Sequence, residues 1–379
     1  MYVTEIFLKN FRNISELRLE LSDGINIFIG RNAQGKTNIL ESVYFSSVLR
    51  SRAAKVQELI RWNNPAAFIK IKFSKADVSQ EVEIELTAER NWRRFLVNGN
   101  AAKSKDFIGC LNSVMFSPED LFMLRSSPAG RRQFLDGEIS QAAPVYFENL
   151  AKYNRIVNQR NNLLKKIRDG GARQSDLIMW NEHLAQYAAS VALYRIIAVD
   201  RINDFANSIY KNIAAQFENF SIVYNLKNAN FDVPLKDFHS ATFRKNLLEW
   251  YRKNIEEKSA RDITRGNTGF GPHLDDLRFF INGRELKTYA SQGQLRTAAL
   301  SLKLSELEFL RTARGEYPVL LLDDVMSELD ADRRTQLLEF LKWKKIQTII
   351  TATEEKYFPA KNFGKMFAVN AGKVTPITN

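Results

Sequence analysis

Cysteine is nearly absent: Cys110 is the single one in 379 residues, so neither an intrachain disulfide nor a cysteine-rich metal site can be built. A reducing, cytoplasmic setting is expected. Histidine is scarce as well, and His183, His239 and His273 lie far apart in the sequence. The opening residues Met1-Tyr2-Val3-Thr4-Glu5 lack the basic head and apolar run of an export signal, and none is expected. Long apolar runs are missing: Val191 to Val199 is interrupted by Arg195 and falls well short of the roughly 20 residues a membrane span needs. Low-complexity tracts are absent, and 45% hydrophobic with 26% charged residues excludes a disordered or fibrous chain. Acids are the minority charge, 43 against 55 Lys and Arg, and the formal +12 points to a polyanionic partner. At roughly 150 residues per domain, two or three structural units are expected.

Helix breakers are missing from the middle of the chain. No proline occurs between Pro144 and Pro234, and no glycine between Gly171 and Gly266, which predicts long helices there. One seven-residue register runs Leu150, Tyr153, Val157, Arg160, Leu164, Ile167. After Gly170-Gly171 a second runs Leu177, Trp180, Leu184, Tyr187, Val191, Tyr194, Ala198, Arg201, Phe205. The pair reads as an antiparallel hairpin, and a second helix from Ser175 to Phe217 would be about 65 Å long. A projecting arm and an ordinary bundle both fit these registers.

On either side the style is that of strands. Two-residue alternation marks Tyr2 to Leu8, Leu17 to Leu21, Ile25 to Ile29, Phe68 to Phe73, Val82 to Leu86 and Phe95 to Val97, and Asn98-Gly99 is a hairpin turn signal. Gly35 to Leu49 breaks this pattern as a helix. Leu277 to Ile281, ahead of Asn282-Gly283, is a further strand, and Gln294 to Arg311 a further helix. The wholly apolar run Val319 to Leu322 and the β-branched-rich run Ile346 to Thr351 suit strands covered on both faces, as in an α/β core. The simplest division gives residues 1–120 and 266–379 as two parts of one nucleotide-binding head, with 121–265 a helical insertion.

Ile25 to Ile29 leads directly into Gly30-Arg31-Asn32-Ala33-Gln34-Gly35-Lys36-Thr37, which satisfies G-x-x-x-x-G-K-[ST] between a strand and a helix. Backbone N–H groups and a helix N-terminus must converge on phosphate oxygens, and Gly30 and Gly35 let the chain curl closely enough. Lys36 is then placed to reach the β- and γ-phosphates, and the Thr37 hydroxyl to ligate Mg²⁺. The strand Val319 to Leu322 delivers Asp323 and Asp324 to a sheet edge where ligands bind. Asp323 is the natural Mg²⁺ partner, and Asp324 is placed to orient or deprotonate water. Ser291-Gln292-Gly293-Gln294 opens a helix shortly before that strand and forms a second anion site. Two such sites in one head point to an ATPase that closes as a dimer.

In this order the phosphate loop, Ser291 to Gln294, Asp323-Asp324 and Ser327-Glu328-Leu329-Asp330 resemble the ABC-type ATPase heads of the SMC superfamily. More narrowly, the chain resembles the RecF family of bacterial recombination-repair proteins. Leu8-Lys9-Asn10-Phe11-Arg12-Asn13, Phe116-Ser117-Pro118-Glu119-Asp120-Leu121, Arg131-Arg132-Gln133-Phe134-Leu135-Asp136 and Gly271-Pro272-His273-Leu274-Asp275-Asp276-Leu277 carry that likeness over nearly the whole chain. The resemblance implies an α/β, ABC/SMC-type P-loop ATPase head split in sequence, with an inserted mainly helical subdomain or short helical-hairpin arm. It implies ATP and Mg²⁺, a homodimer formed on ATP binding, and DNA binding by that dimer, on single-stranded, duplex or gapped DNA. Weak, DNA-stimulated hydrolysis would release it. Partners would be other recombination mediators that help load recombinase in repair, replication and the SOS response, with no membrane. By position, Gly30, Arg31, Asn32, Ala33, Gln34, Gly35, Lys36, Thr37, Arg12, Ser291, Gly293 and Gln294 would bind nucleotide. Lys36, Asp324 and, across the dimer, Ser291 would serve catalysis; Thr37 and Asp323 would hold Mg²⁺; Asp330 would lie at the interface.

Three departures stand out. Gln292 replaces the first glycine of the usual double-glycine signature, Asp324 stands where many ABC ATPases have glutamate, and Thr351-Ala352-Thr353-Glu354 offers no switch histidine. A transporter ATPase subunit would need that histidine and a membrane partner, and an SMC-like nuclease scaffold a longer coiled coil than residues 121–265 supply. That insertion holds 22 basic and 15 acidic side chains, most of the net charge. Phosphate contacts dominate non-specific DNA affinity, so Arg131, Arg132, Lys165, Lys166, Arg168, Arg244, Lys245, Arg252 and Lys253 are candidates as a group. His273 reads first as loop structure.

Overall fold

The computed structural model describes residues 1–50, 56–89, 92–213, 218–227, 238–358 and 363–377. Residues 1–122 and those from 292 onward, with a short piece around Asn212, gather into one compact unit, and the stretch from Met123 to Ser291 into another.

The first unit is built on two sheets. One is antiparallel, in the order Ile14–Glu20, Tyr2–Phe11, Ala66–Lys75, Val78–Thr87, Trp92–Val97, Asn100–Ala102. The other runs Lys373–Pro376, Lys365–Asn370, Ile25–Ile29, Thr348–Ala352, Val319–Asp323, Ser113–Phe116, and its strands are parallel apart from the edge strand Lys373–Pro376. Every residue of Val319–Asp323 and of Thr348–Ala352 is buried, which is why these two segments are mostly apolar, with only Asp323, Thr348 and Thr351 polar. Both ends of the chain join here: the Gln347 side-chain amide accepts from Val3 N at 2.6 Å and donates to Val3 O at 2.7 Å. Helix Lys36–Val48 touches strands of both sheets, so it is buried nearly all round. Its buried serines lose no hydrogen bond, because Ser42, Ser46 and Ser47 donate back to the carbonyls of Ile39, Ser42 and Tyr44.

The second unit contains helices Pro128–Ala142, Pro144–Arg168, Leu177–Ile213 and Ala241–Arg265 and the antiparallel sheet Arg284–Glu285, Asp276–Ile281, Phe220–Asn225. The hairpin expectation is met: Asn149 bonds Ser190 at 3.0 Å and Arg160 bonds Asn181 at 2.8 Å, so the two long helices run antiparallel. Helix Ala241–Arg265 then closes on both, through Arg252 to Glu182 and Arg160 to Asp262, each at 2.8 Å. Of the two forms left open, this is the packed subdomain. Helix Leu177–Ile213 has 37 residues, about 55 Å; the expected end at Phe217 lies outside the described residues. Its buried stripe departs from the predicted register. Arg201 is exposed and Phe205 half-buried, while Ile202, Ala206 and Tyr210 face the core. A strict seven-residue repeat slips by about 20° per heptad against a straight helix, so over the more than three heptads from Leu177 to Arg201 the stripe drifts by roughly 70°.

The boundaries also differ from 121–265. Residues 266–291, expected in the C-terminal part of the head, lie in the second unit, because Asp276–Ile281 pairs along its whole length with Phe220–Asn225. Among the described residues no helix is long and apolar enough to cross a membrane.

Candidate nucleotide site

The phosphate loop leaves strand Ile25–Ile29 at the C-terminal edge of the parallel sheet. At Gly30 the chain passes so close to its neighbour that a Cβ would run into the Val369 carbonyl oxygen. Gly35 has φ +105°, and a Cβ there would lie 2.8 Å from the Asn13 side-chain oxygen. Only glycine meets both demands, positive φ and close approach. Lys36 follows as the first residue of its helix, and its ammonium donates to the carbonyls of Gly30 and of Arg31, the latter at 2.9 Å. The loop is held from outside: Gln34 accepts from Ala371 N at 2.7 Å through its side chain and from Gly372 N at 2.9 Å through its carbonyl.

Facing the loop is the end of Val319–Asp323. Asp323 Oδ1 accepts from the Thr37 hydroxyl at 2.9 Å and from the Thr351 hydroxyl at 2.8 Å. Asp324 turns the chain with φ +52°, a conformation that costs a non-glycine residue energy, and its N–H is held by Thr351 Oγ1 at 2.9 Å. Its Oδ1 is buried and finds no hydrogen-bond partner among the described residues. Burial pushes the Asp324 carboxyl above its ordinary range, Lys36 pulls it back, and Asp323 and Glu328 push it up further. Burial likewise lowers Lys36, against Asp324 and Asp323. Loop and acids line one cleft of about 300 Å³, from Asn32 to Asn38 with Pro118, Glu119, Asp323 and Asp324.

The donor set fits Mg²⁺. Thr37 and Asp323 offer hard oxygen atoms side by side, Asp324 adds an orphaned carboxylate oxygen, and Mg²⁺ prefers one or two protein oxygens plus phosphate and water. A cluster of three or more His, Cys, Asp or Glu side chains, which such an ion does not require, is absent among the described residues.

The desolvated Asp324 yields a pH prediction. Its folded-state pKa is raised, so the stability it permits is complete below the unfolded carboxyl range and declines as pH rises through the folded value. Asp324→Asn should therefore melt ~1–2 °C above wild type near pH 8, with the gap closing toward about pH 4. Melting curves against pH check this, and a gap of constant size would count against the desolvated carboxylate.

Other expected residues lie elsewhere. Arg12 lines a neighbouring cleft and grips Glu41, a buried residue of the Lys36 helix, through Nε and Nη2 at 2.8 Å each. Gly293 and Gln294 stand in the first turn of helix Gln292–Arg314; Ser291 precedes it, and Ser291, Gln292 and Gly293 are exposed. Asp330 caps helix Ala331–Lys344 by accepting from Arg333 N at 2.9 Å, which holds its carboxyl below the usual range, and it also pairs with the Arg333 side chain. His273 is half-buried between the Tyr153 hydroxyl and the Thr268 carbonyl, and desolvation there lowers its pKa, which favours the neutral ring.

Two of the DNA candidates change character. Arg131 is buried and holds Asp276 through two bonds of 2.9 and 2.7 Å, and Arg252 pairs with Glu182 and Glu249. Arg131 spends its charge inside the unit, and Arg252 spends its charge on two acids at the surface. Sequence reasoning gave no role to Thr351, Pro118 or Glu119. The signal was available in the parallel order, since residues just past Phe116 and Ile350 must reach the same sheet edge as Asp323.

Comparison with known proteins agrees with this geometry. A family model described as the RecF/RecN/SMC N terminal domain matches residues 2–375. The DNA replication and repair protein RecF of Heliobacterium modesticaldum is 40% identical over 380 residues, 99% of each chain. That of Clostridium tetani is 39% identical over 381 residues, 98% of this chain and 99% of its own. The solved structure of the recombination mediator protein RecF-ATP in the RecFOR pathway covers 100% of this chain and 98% of its own, at 34% identity and a TM-score of 0.89. An Smc head bound to the C-winged helix domain of ScpA, 14% identical, covers 100% of this chain and 98% of its own; its TM-score of 0.56 shows a shared fold alone. With a P-loop facing an acid-tipped strand and full-length likeness to these relatives, the chain belongs to the RecF family of SMC-type, ABC-class ATPases.

Proposed function

We propose that the chain is an ATP-gated DNA clamp of recombinational repair in the cytoplasm. The observation that carries this reading is the meeting of Lys36, Thr37, Asp323 and Asp324 in one cleft at the C-terminal edge of the parallel strands. The relative solved with ATP supports ATP as the nucleotide. On binding, Lys36 exchanges the Gly30 and Arg31 carbonyls for β- and γ-phosphate oxygens while the loop N–H groups cradle the rest. Thr37 and Asp323 would hold Mg²⁺, which would supply charge neutralisation to the phosphates. Asp324, with its raised pKa, orients the attacking water and accepts its proton. An aspartate has a shorter reach than a glutamate, and Thr353 and Glu354 supply no histidine to sense the γ-phosphate, so turnover is slow and suits a switch.

Ser291, Gly293 and Gln294, at an exposed helix start, meet the γ-phosphate bound by a second copy, with Asp330 at the same interface. The ATP-closed dimer holds DNA at gaps or single-strand/double-strand junctions by phosphate contacts and hands it to other mediators for recombinase loading. Neither a transporter subunit nor a nuclease scaffold gains an observation of its own.

Sedimentation tests the switch. Wild type should be monomeric alone and dimeric with ATP and Mg²⁺, whereas Ser291→Arg should bind ATP as tightly yet stay monomeric at tenfold higher concentration, roughly the shift from one ill-placed charge at an interface. A wild type indifferent to ATP would remove the clamp.

A further inference from the structure

Helix Ala331–Lys344 carries Arg333 and Arg334 in its opening turn, at the end where the helix dipole makes a cation unfavourable. Arg333 is nevertheless half-buried there, with its guanidinium on partners from two different elements. We infer that Arg333 is a positioning residue: it fixes the exposed first turn of helix Gln292–Arg314 against the loop 327–330 of the same chain, so that both meet a second copy as one surface. The inference rests on the ATP-gated dimer proposed above and adds to it a residue outside the phosphate cleft.

Two sets of contacts make the tie. On one side Arg333 embraces Asp330: its backbone N–H donates to Asp330 Oδ1 and its Nη1 to Oδ2, each at 2.9 Å. On the other side its Nη2 donates to the hydroxyl of Thr297 at 3.2 Å, 36 positions earlier in the chain. Thr297 is buried, and its hydroxyl donates in turn to the Gly293 carbonyl at 3.0 Å. A line of hydrogen bonds therefore runs from Gly293 through Thr297 and Arg333 to Asp330, all within the first unit. Its two ends are residues that the clamp reading brings to the dimer interface. A planar guanidinium with a fixed fork of donors can serve both partners, whereas an ammonium is a point charge that serves one well.

A second tie runs beside the first. Arg296, in the same helix as Thr297, pairs through Nη2 with Glu328 of the same loop at 3.3 Å. The loop is anchored in turn to the acid-tipped strand, because the Ser327 hydroxyl donates to the Asp324 carbonyl at 2.7 Å and Glu328 N to the Val325 carbonyl at 3.0 Å. Asp324, which faces the chain's own phosphate cleft, and Gly293, which meets the nucleotide of a second copy, thus belong to one frame.

The fold itself makes little use of the Arg333 side chain. Asp330 caps its helix through the backbone N–H of position 333, which any residue but proline supplies. The ion pair with Asp330 is partly exposed, and such pairs contribute little to stability. What the guanidinium adds is placement, and a misplacement of about 1 Å at a reacting site costs on the order of a hundredfold in rate.

The test uses the full chain with ATP and Mg²⁺. Arg333→Ala should melt within about 3 °C of wild type. At concentrations too low for dimers it should bind ATP with unchanged affinity. Its ATP-dependent dimer should nevertheless be about tenfold weaker, and its turnover at saturating ATP roughly tenfold to a hundredfold slower. Arg333→Lys should recover part of both losses. Thr297→Val keeps the branched shape without the hydroxyl and should show the same losses, and the double variant should lose no more than either single one, since both break one line of bonds. Dimerisation and turnover equal to wild type in Arg333→Ala, or losses that multiply in the double variant, overturn the positioning role. So does a matching fall in the ATP affinity of the monomer, which would make Arg333 a support of its own phosphate cleft. Wild type that binds ATP yet never dimerises would instead overturn the clamp, and this role with it.

Discussion

Lys36→Ala is expected to abolish measurable ATP binding while leaving the fold in place. Lys36 is 6% exposed and lies against two carboxylates, Asp323 and Asp324. Without phosphate, its ammonium is satisfied by the Gly30 and Arg31 carbonyls at the rim of an open cleft, groups that water can serve instead. The variant should therefore fold and melt close to wild type. With phosphate the comparison changes: truncating one partner of a buried, hydrogen-bonded charge pair costs about 2–5 kcal/mol, or roughly thirtyfold to several thousandfold in affinity. Lys36→Arg keeps the charge but brings a planar fork into a loop shaped by Gly30 and Gly35, and ATP-dependent dimerisation should be lost there as well. Equilibrium nucleotide binding beside a melting curve decides the matter. An affinity within threefold of wild type in a folded Lys36→Ala protein would show that the cleft is not where the phosphates sit.

The phosphate loop and the acid-tipped strand were legible because each is local. A strand, a glycine-bounded turn and a helix start occur within thirteen residues, Ile25 to Thr37, and four apolar residues before two acids define a buried strand end. What escaped was whatever depends on which segment becomes whose neighbour. Asp276–Ile281 reads correctly as a strand, yet nothing in its alternation says that Phe220–Asn225, inside a helical stretch, is its partner. Ser113–Phe116 is four buried residues, too short for periodicity to reveal, and it brings Pro118 and Glu119 to the cleft. Charge misled in one direction. Arg195 looked like an interruption of an apolar run, and Arg131 like a surface cation, because a sequence shows a charge but not its counter-charge. Asp136 and Asp276, which neutralise them, lie 59 and 145 positions away.

Arg195 supports the largest stability effect expected. It is 2% exposed, in the middle of helix Leu177–Ile213, and its guanidinium reaches Asp136 of helix Pro128–Ala142 at 2.8 Å and the Pro272 carbonyl at 2.7 Å. Asp136 also accepts from the Tyr146 hydroxyl, and the neighbouring Tyr224 hydroxyl donates to Asp275 at 2.6 Å. Burial raises the Tyr146 and Asp275 pKa values, so the phenol stays neutral and donates. One cation thus joins the segments Arg131 to Asp136 and Gly271 to Leu277, which lie far apart in sequence, and those segments serve here as the polar core of the second unit. Arg195→Met fills much of the space but leaves the Asp136 carboxylate buried without its cation. Breaking a buried pair in this way costs about 3–5 kcal/mol, whereas replacing both partners by apolar groups is often close to neutral. At roughly 2–4 °C per kcal/mol for a unit of this size, Arg195→Met should lower the melting temperature by about 6 °C or more. Arg195→Met combined with Asp136→Leu should recover a substantial part of that loss. Thermal melts of both single variants and the double variant close the cycle. If the single losses simply add, the two residues are not coupled and the ionic core described here does not hold the unit together.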